Sequence, residues 1–246
     1  GCTLHNEGGE KTDDLEPVTM DGFFLDTVCS ISIYDKGEAG REIISQSFSK
    51  IQDYENQLSK TKEKSDISLI NNGHSQWVQV HPETAEIIKK GVFYSRLSRG
   101  VFDISCGGLT DLWDFHIADD VTHKGGTVPE IEQIQEELAH VDYNDIKINE
   151  AKSSVKITDS KTKINLGGIA KGYIADKIAD HVEGLGSKSA VINLGGNIVL
   201  VGGKYNGKTE ENFKIGVKDP LSTNGELLGY VEGRNLSIVT SGTYER

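Results

Sequence analysis

Apolar and polar side chains alternate through FFLDTVCSISIYD (23–35), which predicts a strand. The period then lengthens. Between Gly40 and Leu58, the residues Ile44, Phe48, Ile51 and Leu58 fall on one face, which predicts an amphipathic helix. SQWVQVH (75–81) predicts a short strand, and Pro82 opens a helix running to about Ser98. GVFDISCGGLTDLWDF (100–115) mixes strand-like residues with a glycine turn, and its aromatics read as one wall of a pocket. In TVPEIEQIQEELAHV (127–141), Thr127 can cap a helix, Pro129 fits its first turn and Glu130 is placed for a capping box. Ile131, Ile134, Leu138 and Val141 then form the expected buried stripe.

DIKIN (145–149) and SSVKIT (153–158) read as a hairpin, and AVINLGGNIVLVGG (190–203) as two strands around Gly195 and Gly196. NFKIGVKDP, GELLGYVE and LSIVTSG are expected to continue that sheet. Helices and strands alternate irregularly, with hairpin-like neighbours. That pattern predicts an α+β fold over a doubly wound parallel sheet.

Composition narrows the function classes. The chain has 246 residues, 36% hydrophobic and 26% charged, which suits one or two globular domains with a sizeable core. A formal net charge of −12 argues against nonspecific binding to nucleic acid phosphates. It also means that an anionic ligand needs a local cationic device, such as a helix N-terminus, a lysine or a metal. No apolar run reaches the roughly 20 residues of a membrane span. Cys2, Cys29 and Cys106 fit neither a metal spacing nor a disulfide framework. Cys2 stands apart, because the polar stretch TLHNEGGEKTDDLEP follows it and reads as a disordered tether over residues 1–16. That arrangement is similar to a bacterial lipoprotein after signal-peptide removal, with Cys2 lipidated. Gly1 is then either the residue before the cleavage site or an expression remnant.

KINLGGIAKGYIADKIADHV (163–182) holds the candidate chemistry. Residues around Ile164 read as the end of a strand, Gly167 and Gly168 as a tight turn, and Ile169, Tyr173, Ile174, Ile178 and Val182 as one helix face. Free N–H groups at a helix start favour an anion. Lys171 adds a full positive charge where a cation is unfavourable to the helix itself. A plain βα turn with a surface lysine accounts for the same residues. Competing motifs fail: GLGSKS (184–189) lacks the glycine before its lysine, and neither HExxH nor GxSxG occurs.

Several blocks, in order, resemble the ApbE family of FAD:protein FMN transferases. FLDTVCSISIYD is similar to the family's opening strand, and SKTKEKSDISLIN to its serine-rich segment. GVFDISCGGLTDLWDF resembles GxFDxTxGPLxxLWxF, and INLGGIAKGYIAD resembles xDLGGIAKGYAxD. INLGGNI and VTSGTYER follow at the expected places. The resemblance implies an ApbE-like, T-fold-like α+β domain over residues 17–246, with mixed or antiparallel sheets flanked by helices. It implies FAD as substrate and Mg²⁺ as cofactor. The FMN half passes to a threonine of a partner flavoprotein, such as a membrane redox-pump subunit, and AMP leaves. The implied site is a lipid-anchored one on the extracytoplasmic face of the bacterial membrane.

Position by position, the resemblance places Val101, Phe102 and Asp103 at the flavin or ribityl part and Lys171 at the phosphates or ribose. It places Leu25 at the family's methionine position, and Thr240, Ser241 and Gly242 at the isoalloxazine end. The backbone carbonyl of Gly168 is the implied Mg²⁺ ligand, with Ala170 as the alternative. Three departures stand out. Asn165 replaces the usual aspartate, which removes a negative charge. Thr61 stands where many members carry an aromatic lid, which implies a more open site and a lean toward hydrolysis of FAD. The family's catalytic and metal-binding Asp and Thr segment is expected beyond Arg246. Alternatives are an FAD pyrophosphatase, a non-catalytic FAD-binding lipoprotein, or a surface scaffold without flavin.

Overall fold

The computed structural model describes residues 16–113, 128–222 and 224–241. Residues 1–15 of the tether with Cys2, residues 114–115 of the tryptophan block, Thr127 and Gly242 lie outside them. The chain divides into two compact units, Gln52–Ile174 and the residues on either side of it.

The flanking unit is built on a five-stranded antiparallel sheet in the order β1-β2-β6-β7-β12. These strands are β1 (Val18–Phe24), β2 (Thr27–Ile33), β6 (Ala190–Leu194), β7 (Asn197–Val201) and β12 (Ser237–Val239). Residues 23–35 are therefore not one strand. Phe24 pairs with Thr27 across a two-residue turn, and Leu25 and Asp26 both take left-handed backbone angles, φ 55° and 56°. Two successive left-handed residues match the twist of a hairpin, which Asn-Gly normally signals and Leu-Asp does not. Gly195 and Gly196 make the equivalent turn between β6 and β7, with φ 62° and 88°. Ile31, Ile33 and Ile192 are fully buried on the sheet, as alternation requires. β10 (Phe213–Lys218) and β11 (Leu227–Gly233) do not continue this sheet. They pair with each other, as do β8 (Lys204–Tyr205) and β9 (Glu210–Glu211), while β12 joins the main sheet.

The unit Gln52–Ile174 carries a three-stranded antiparallel sheet, β3 (Val78–Gln79), β5 (Ser154–Ile157) and β4 (Ile146–Asn149). The predicted 145–158 hairpin is present. α2 (Asp66–Asn71) is capped by Ser65, whose hydroxyl accepts from Ser68 N–H at 3.0 Å. Buried Asp66 accepts from His81 N–H at 2.8 Å and from the Thr84 hydroxyl at 2.6 Å, which satisfies the start of α3 (Pro82–Leu97). α4 (Gly107–Asp111) replaces the strand-like reading of residues 100–113.

α5 (Ile131–Leu138) starts later than expected: Glu130 is its N-cap and closes the capping box with Gln133. Its predicted buried stripe is not buried, with Ile131 57% and Leu138 51% exposed. Ile134 and Val141 of the same stripe are half-buried, and α4 lies against the helix. α1 (Gly40–Leu58) and α6 (Ala170–Gly184) match the expected spans, and Ile44, Ile51, Ile174, Ile178 and Val182 are fully buried.

Candidate flavin-nucleotide site

The segment leading into α6 is held by a side-chain clamp and backbone bonds, not by a strand. Only an isolated bridge, Cys106 with Lys163, has strand character there. The Asn71 side chain accepts from Ile164 N–H at 2.7 Å and donates to the Ile164 carbonyl at 3.0 Å. Gly107 N–H donates to the Lys163 carbonyl, and Asn165 N–H to that of Ile104, each at 2.8 Å. These bonds fix the turn before the helix begins.

Asn165 then organises the turn. Its Oδ1 accepts from Gly167 N–H at 2.8 Å, and its amide donates to Thr110 Oγ1 at 2.9 Å. Thr110 in turn donates to the Gly107 carbonyl at 2.9 Å. Gly167 and Gly168 were expected to be needed for a tight turn, yet neither has a positive φ. Gly168 matters for space: a Cβ there would lie 2.9 Å from Phe102 Cε2. Ala170 N–H donates to the Leu166 carbonyl at 2.8 Å and Tyr173 N–H to that of Ile169 at 3.1 Å. Gly168 precedes α6, whereas Ala170 is its first residue.

Lys171 lies in the first turn of α6, where no acidic residue accompanies it. Two residues on, buried Tyr173 donates to Glu86 Oε2 at 2.9 Å and meets Tyr54 edge-on with ring centroids 6.1 Å apart. Burial and the Glu86 carboxylate push the Tyr173 phenol far up, so it remains a donor. This anchor sets the rotation of the turn that carries Lys171.

The predicted residues divide between two cavities of the same unit. Phe102 lines an apolar cleft of about 380 Å³ with Tyr94, Leu97, Gly168 and Ile169. Thr61 lines a polar cavity of about 460 Å³ with Lys60, Asn71, Thr110, Asp111 and Lys163. Val101, beside Phe102, is 92% exposed. Asp103 is occupied within the protein: Oδ1 accepts from Ser105 N–H at 2.8 Å and Ser105 Oγ at 2.7 Å, and Oδ2 from Tyr143 N–H at 3.2 Å. Neighbouring Cys106 has its thiol pushed up by burial and by the Asp103 carboxylate.

In the flanking unit, Leu25 sits in the β1–β2 turn, and Thr240 N–H donates to the Gly196 carbonyl at 3.1 Å. Cys29 pairs with Leu194, and Val239 with Asn197. The register therefore gathers Leu25, the Gly195–Gly196 turn, Thr240 and exposed Ser241 at one end of the five-stranded sheet.

Among the described residues, no group of three or more His, Cys, Asp or Glu side chains is placed to hold a metal. Gly168 offers one carbonyl, and Mg²⁺ demands six oxygens. These residues fit at most a fraction of a Mg²⁺ sphere.

The profile of the ApbE family matches residues 25–246. The chain belongs to the ApbE family. It is 27% identical over 235 residues to the FAD:protein FMN transferase of Treponema pallidum, and 30% identical over 223 residues to that of Klebsiella pneumoniae. Those alignments cover 90% and 88% of this chain, and the chain spans 63% of the length of each relative. The ApbE protein of Thermotoga maritima superposes with a TM-score of 0.82 at 28% identity, covering 94% of this chain and 72% of that one. The flavin transferase ApbE of Vibrio cholerae shares the fold, with a TM-score of 0.77 at 21% identity over 93% of this chain and 72% of that one. The antiparallel α+β architecture is thus that of the ApbE structures. Sequence reasoning missed Lys60, Asn71, Asp111 and Lys163, which meet only when α2, α4 and the segment before α6 come together. No local signal marks them.

Proposed function

We propose that this chain moves FMN from FAD onto a threonine of an acceptor flavoprotein. The threonine oxygen bonds to the FMN phosphorus, the pyrophosphate P–O bond to AMP breaks, AMP takes that electron pair, and the hydroxyl proton passes to solvent. The names of the aligned relatives support the reading. The observation that carries it is the Gly167–Lys171 turn: a helix start, a lysine in its first turn, and a glycine kept open against Phe102. N–H groups and an ammonium together stabilise charge on phosphate oxygens.

Mg²⁺ dependence belongs to the same proposal. Gly168, which precedes α6, is favoured over Ala170, its first residue, as the one backbone ligand, with substrate phosphates and water among the others. Bound there, the ion would neutralise developing phosphate charge.

The direct test incubates the protein with FAD and a threonine-bearing acceptor, with Mg²⁺ or EDTA. Covalent flavin on the acceptor and stoichiometric AMP are expected with Mg²⁺ only, and Lys171→Ala should lower the yield at least roughly tenfold. Unchanged yield in that variant removes its role. A second reading, hydrolysis of FAD to FMN and AMP, is favoured by Thr61, whose small side chain leaves its cavity open to water. Free FMN without acceptor labelling identifies it. FAD that binds and stays intact identifies a carrier instead.

The extracytoplasmic address and lipid anchor at Cys2 form part of this proposal, as does an acceptor in a membrane redox complex. Mass spectrometry of the N-terminal peptide from membranes tests the anchor, with Cys2→Ser releasing the protein. No helix among the described residues is long and apolar enough to cross a membrane.

A further inference from the structure

α3 buries Thr84, Ile87, Ile88, Gly91 and Ser95 on one face. The opposite face of such a helix is ordinarily polar. Here it carries Phe93, 57% exposed, and Leu97, 67% exposed, one turn apart. Exposed Tyr94 stands edge-on to Phe93, with ring centroids 5.3 Å apart. The helix closes with Gly100 N–H donating to the Ser95 carbonyl at 2.8 Å and Arg99 N–H to that of Arg96 at 3.0 Å. That turn leaves Val101 almost fully exposed just beyond the end. Single apolar side chains on a surface need no explanation, but these follow one another along one ridge.

Charge around the ridge is the second observation. Residues 87–102 include Lys89, Lys90, Arg96 and Arg99 and no Asp or Glu, on a chain of formal net charge −12. At about 100° per residue, Lys89 and Arg96 fall on one side of the Phe93–Leu97 line and Lys90 on the other. Lys89 is paired with Glu150 at 2.8 Å and Lys90 with Glu86 at 3.6 Å, whereas Arg96 and Arg99 have no ion pair among the described residues. The helix dipole accounts for a base in the last turn, but not for the apolar side chains beside it.

We propose that this ridge docks on an anionic lipid surface. Phe93, Leu97 and Val101 enter the boundary between headgroups and acyl chains, the Tyr94 ring stays at headgroup level, and Arg96 and Arg99 reach the lipid phosphates. A protein partner would have to supply a matching pocket for each protruding side chain, whereas a bilayer accepts them without matching their shape. Tyr94 and Leu97 also border the Phe102 cleft, but Phe93, Arg96 and Arg99 do not line it. The attachment is peripheral, and it needs neither flavin chemistry nor a lipid on Cys2.

Sedimentation of the intact, unlipidated chain with vesicles tests this. The vesicles are phosphatidylcholine alone or phosphatidylcholine mixed with phosphatidylglycerol. Binding is expected only to the anionic vesicles at low salt, and should fall at least roughly tenfold by roughly 0.5 M salt. Arg96→Gln combined with Arg99→Gln should weaken it roughly tenfold, and Phe93→Ser several-fold. Melting curves should stay unmoved, because all three side chains are exposed. Lys204→Gln combined with Lys208→Gln removes the same charge from exposed positions of the flanking unit and should change binding less than roughly twofold. A chain left in the supernatant by anionic vesicles overturns the proposal. Equal binding to neutral vesicles, an equal loss in the lysine pair, or full binding by both ridge variants overturns it too. Self-association that Phe93→Ser abolishes, without vesicle binding, makes the ridge a contact between copies instead.

Discussion

A Cβ placed on Gly168 would come within 2.9 Å of Phe102 Cε2. The glycine turn and the aromatic of the distant VFD block are therefore one surface, although 66 residues separate them (168 minus 102). Gly168→Ala should displace the ring. Because the ring is the far end of a side chain, the stability cost is expected to stay near ~1 kcal/mol, at the low end for overpacking. The apolar cleft that Phe102 lines should be reshaped, so FAD affinity should fall more than stability does. Melting temperature and FAD titration on Gly168→Ala, Phe102→Leu and the double variant check this. The two substitutions should be non-additive in binding, because the smaller leucine relieves the clash.

Gly107 predicts a harsher outcome. A Cβ there would lie 2.6 Å from the Lys163 carbonyl oxygen and 2.8 Å from Lys163 Cβ. Backbone cannot swing aside as a ring can. Gly107→Ala should cost about 2–3 kcal/mol and break the Gly107 N–H bond to Lys163. Gly184 is the control: nothing lies within 4 Å of its added Cβ, and its φ is not positive. Gly184→Ala should be neutral or stabilising by roughly 0.5 kcal/mol. Urea unfolding of both variants separates the cases.

What the sequence made legible follows from how local each cause is. The α1 and α6 stripes were readable because burial of one helix face leaves a 3.6-residue period in the chain itself. The β1–β2 turn was not, because Leu25 and Asp26 adopt left-handed angles without the glycine or asparagine that announces them. The α5 pattern misled for the opposite reason: amphipathic spacing is local, but whether anything covers the face is not. At the candidate site the GGIAKG turn was visible. The Asn71 clamp on Ile164 spans 93 residues and leaves no trace in either segment. Asp103 likewise accepts from the Tyr143 N–H at 3.2 Å, a bond across 40 residues that neither segment announces.

Asn165 supports a prediction about charge. Thr110 Oγ1 accepts from the Asn165 amide and donates its single hydrogen to Gly107. An aspartate at 165 has no hydrogen to give. Thr110 would have to redirect its own toward the carboxylate and abandon the Gly107 carbonyl. Asn165→Asp should cost about 1 kcal/mol of stability, one rearranged hydrogen bond. It should also weaken FAD binding several-fold at low ionic strength, because a negative charge now stands beside the turn that would hold phosphates. That binding deficit should shrink as salt rises toward roughly 0.5 M. A deficit independent of salt would assign the effect to geometry instead.

His181 sets an expectation for acid. Its Nε2 is buried without a hydrogen-bond partner among the described residues. Burial, and then the Lys50 ammonium, hold its pKa below the ordinary 6.5. The unfolded chain therefore takes up a proton at this residue at a pH where the folded protein still refuses it. Above about pH 6.5 both states are neutral and the histidine contributes no pH dependence. As pH falls through that value, unfolding gains a proton and stability declines, until the pH drops below the folded pKa. Asp159 acts lower and through the opposite shift: the Lys161 backbone N–H and the His140 ring depress its pKa below 3.8. Its stabilisation is full above that value and is lost as pH falls through the depressed one. Urea midpoints between pH 8 and 5 should thus decline for the native chain and flatten in His181→Gln, while Asp159→Asn should leave that window unchanged and flatten the curve only below about pH 4.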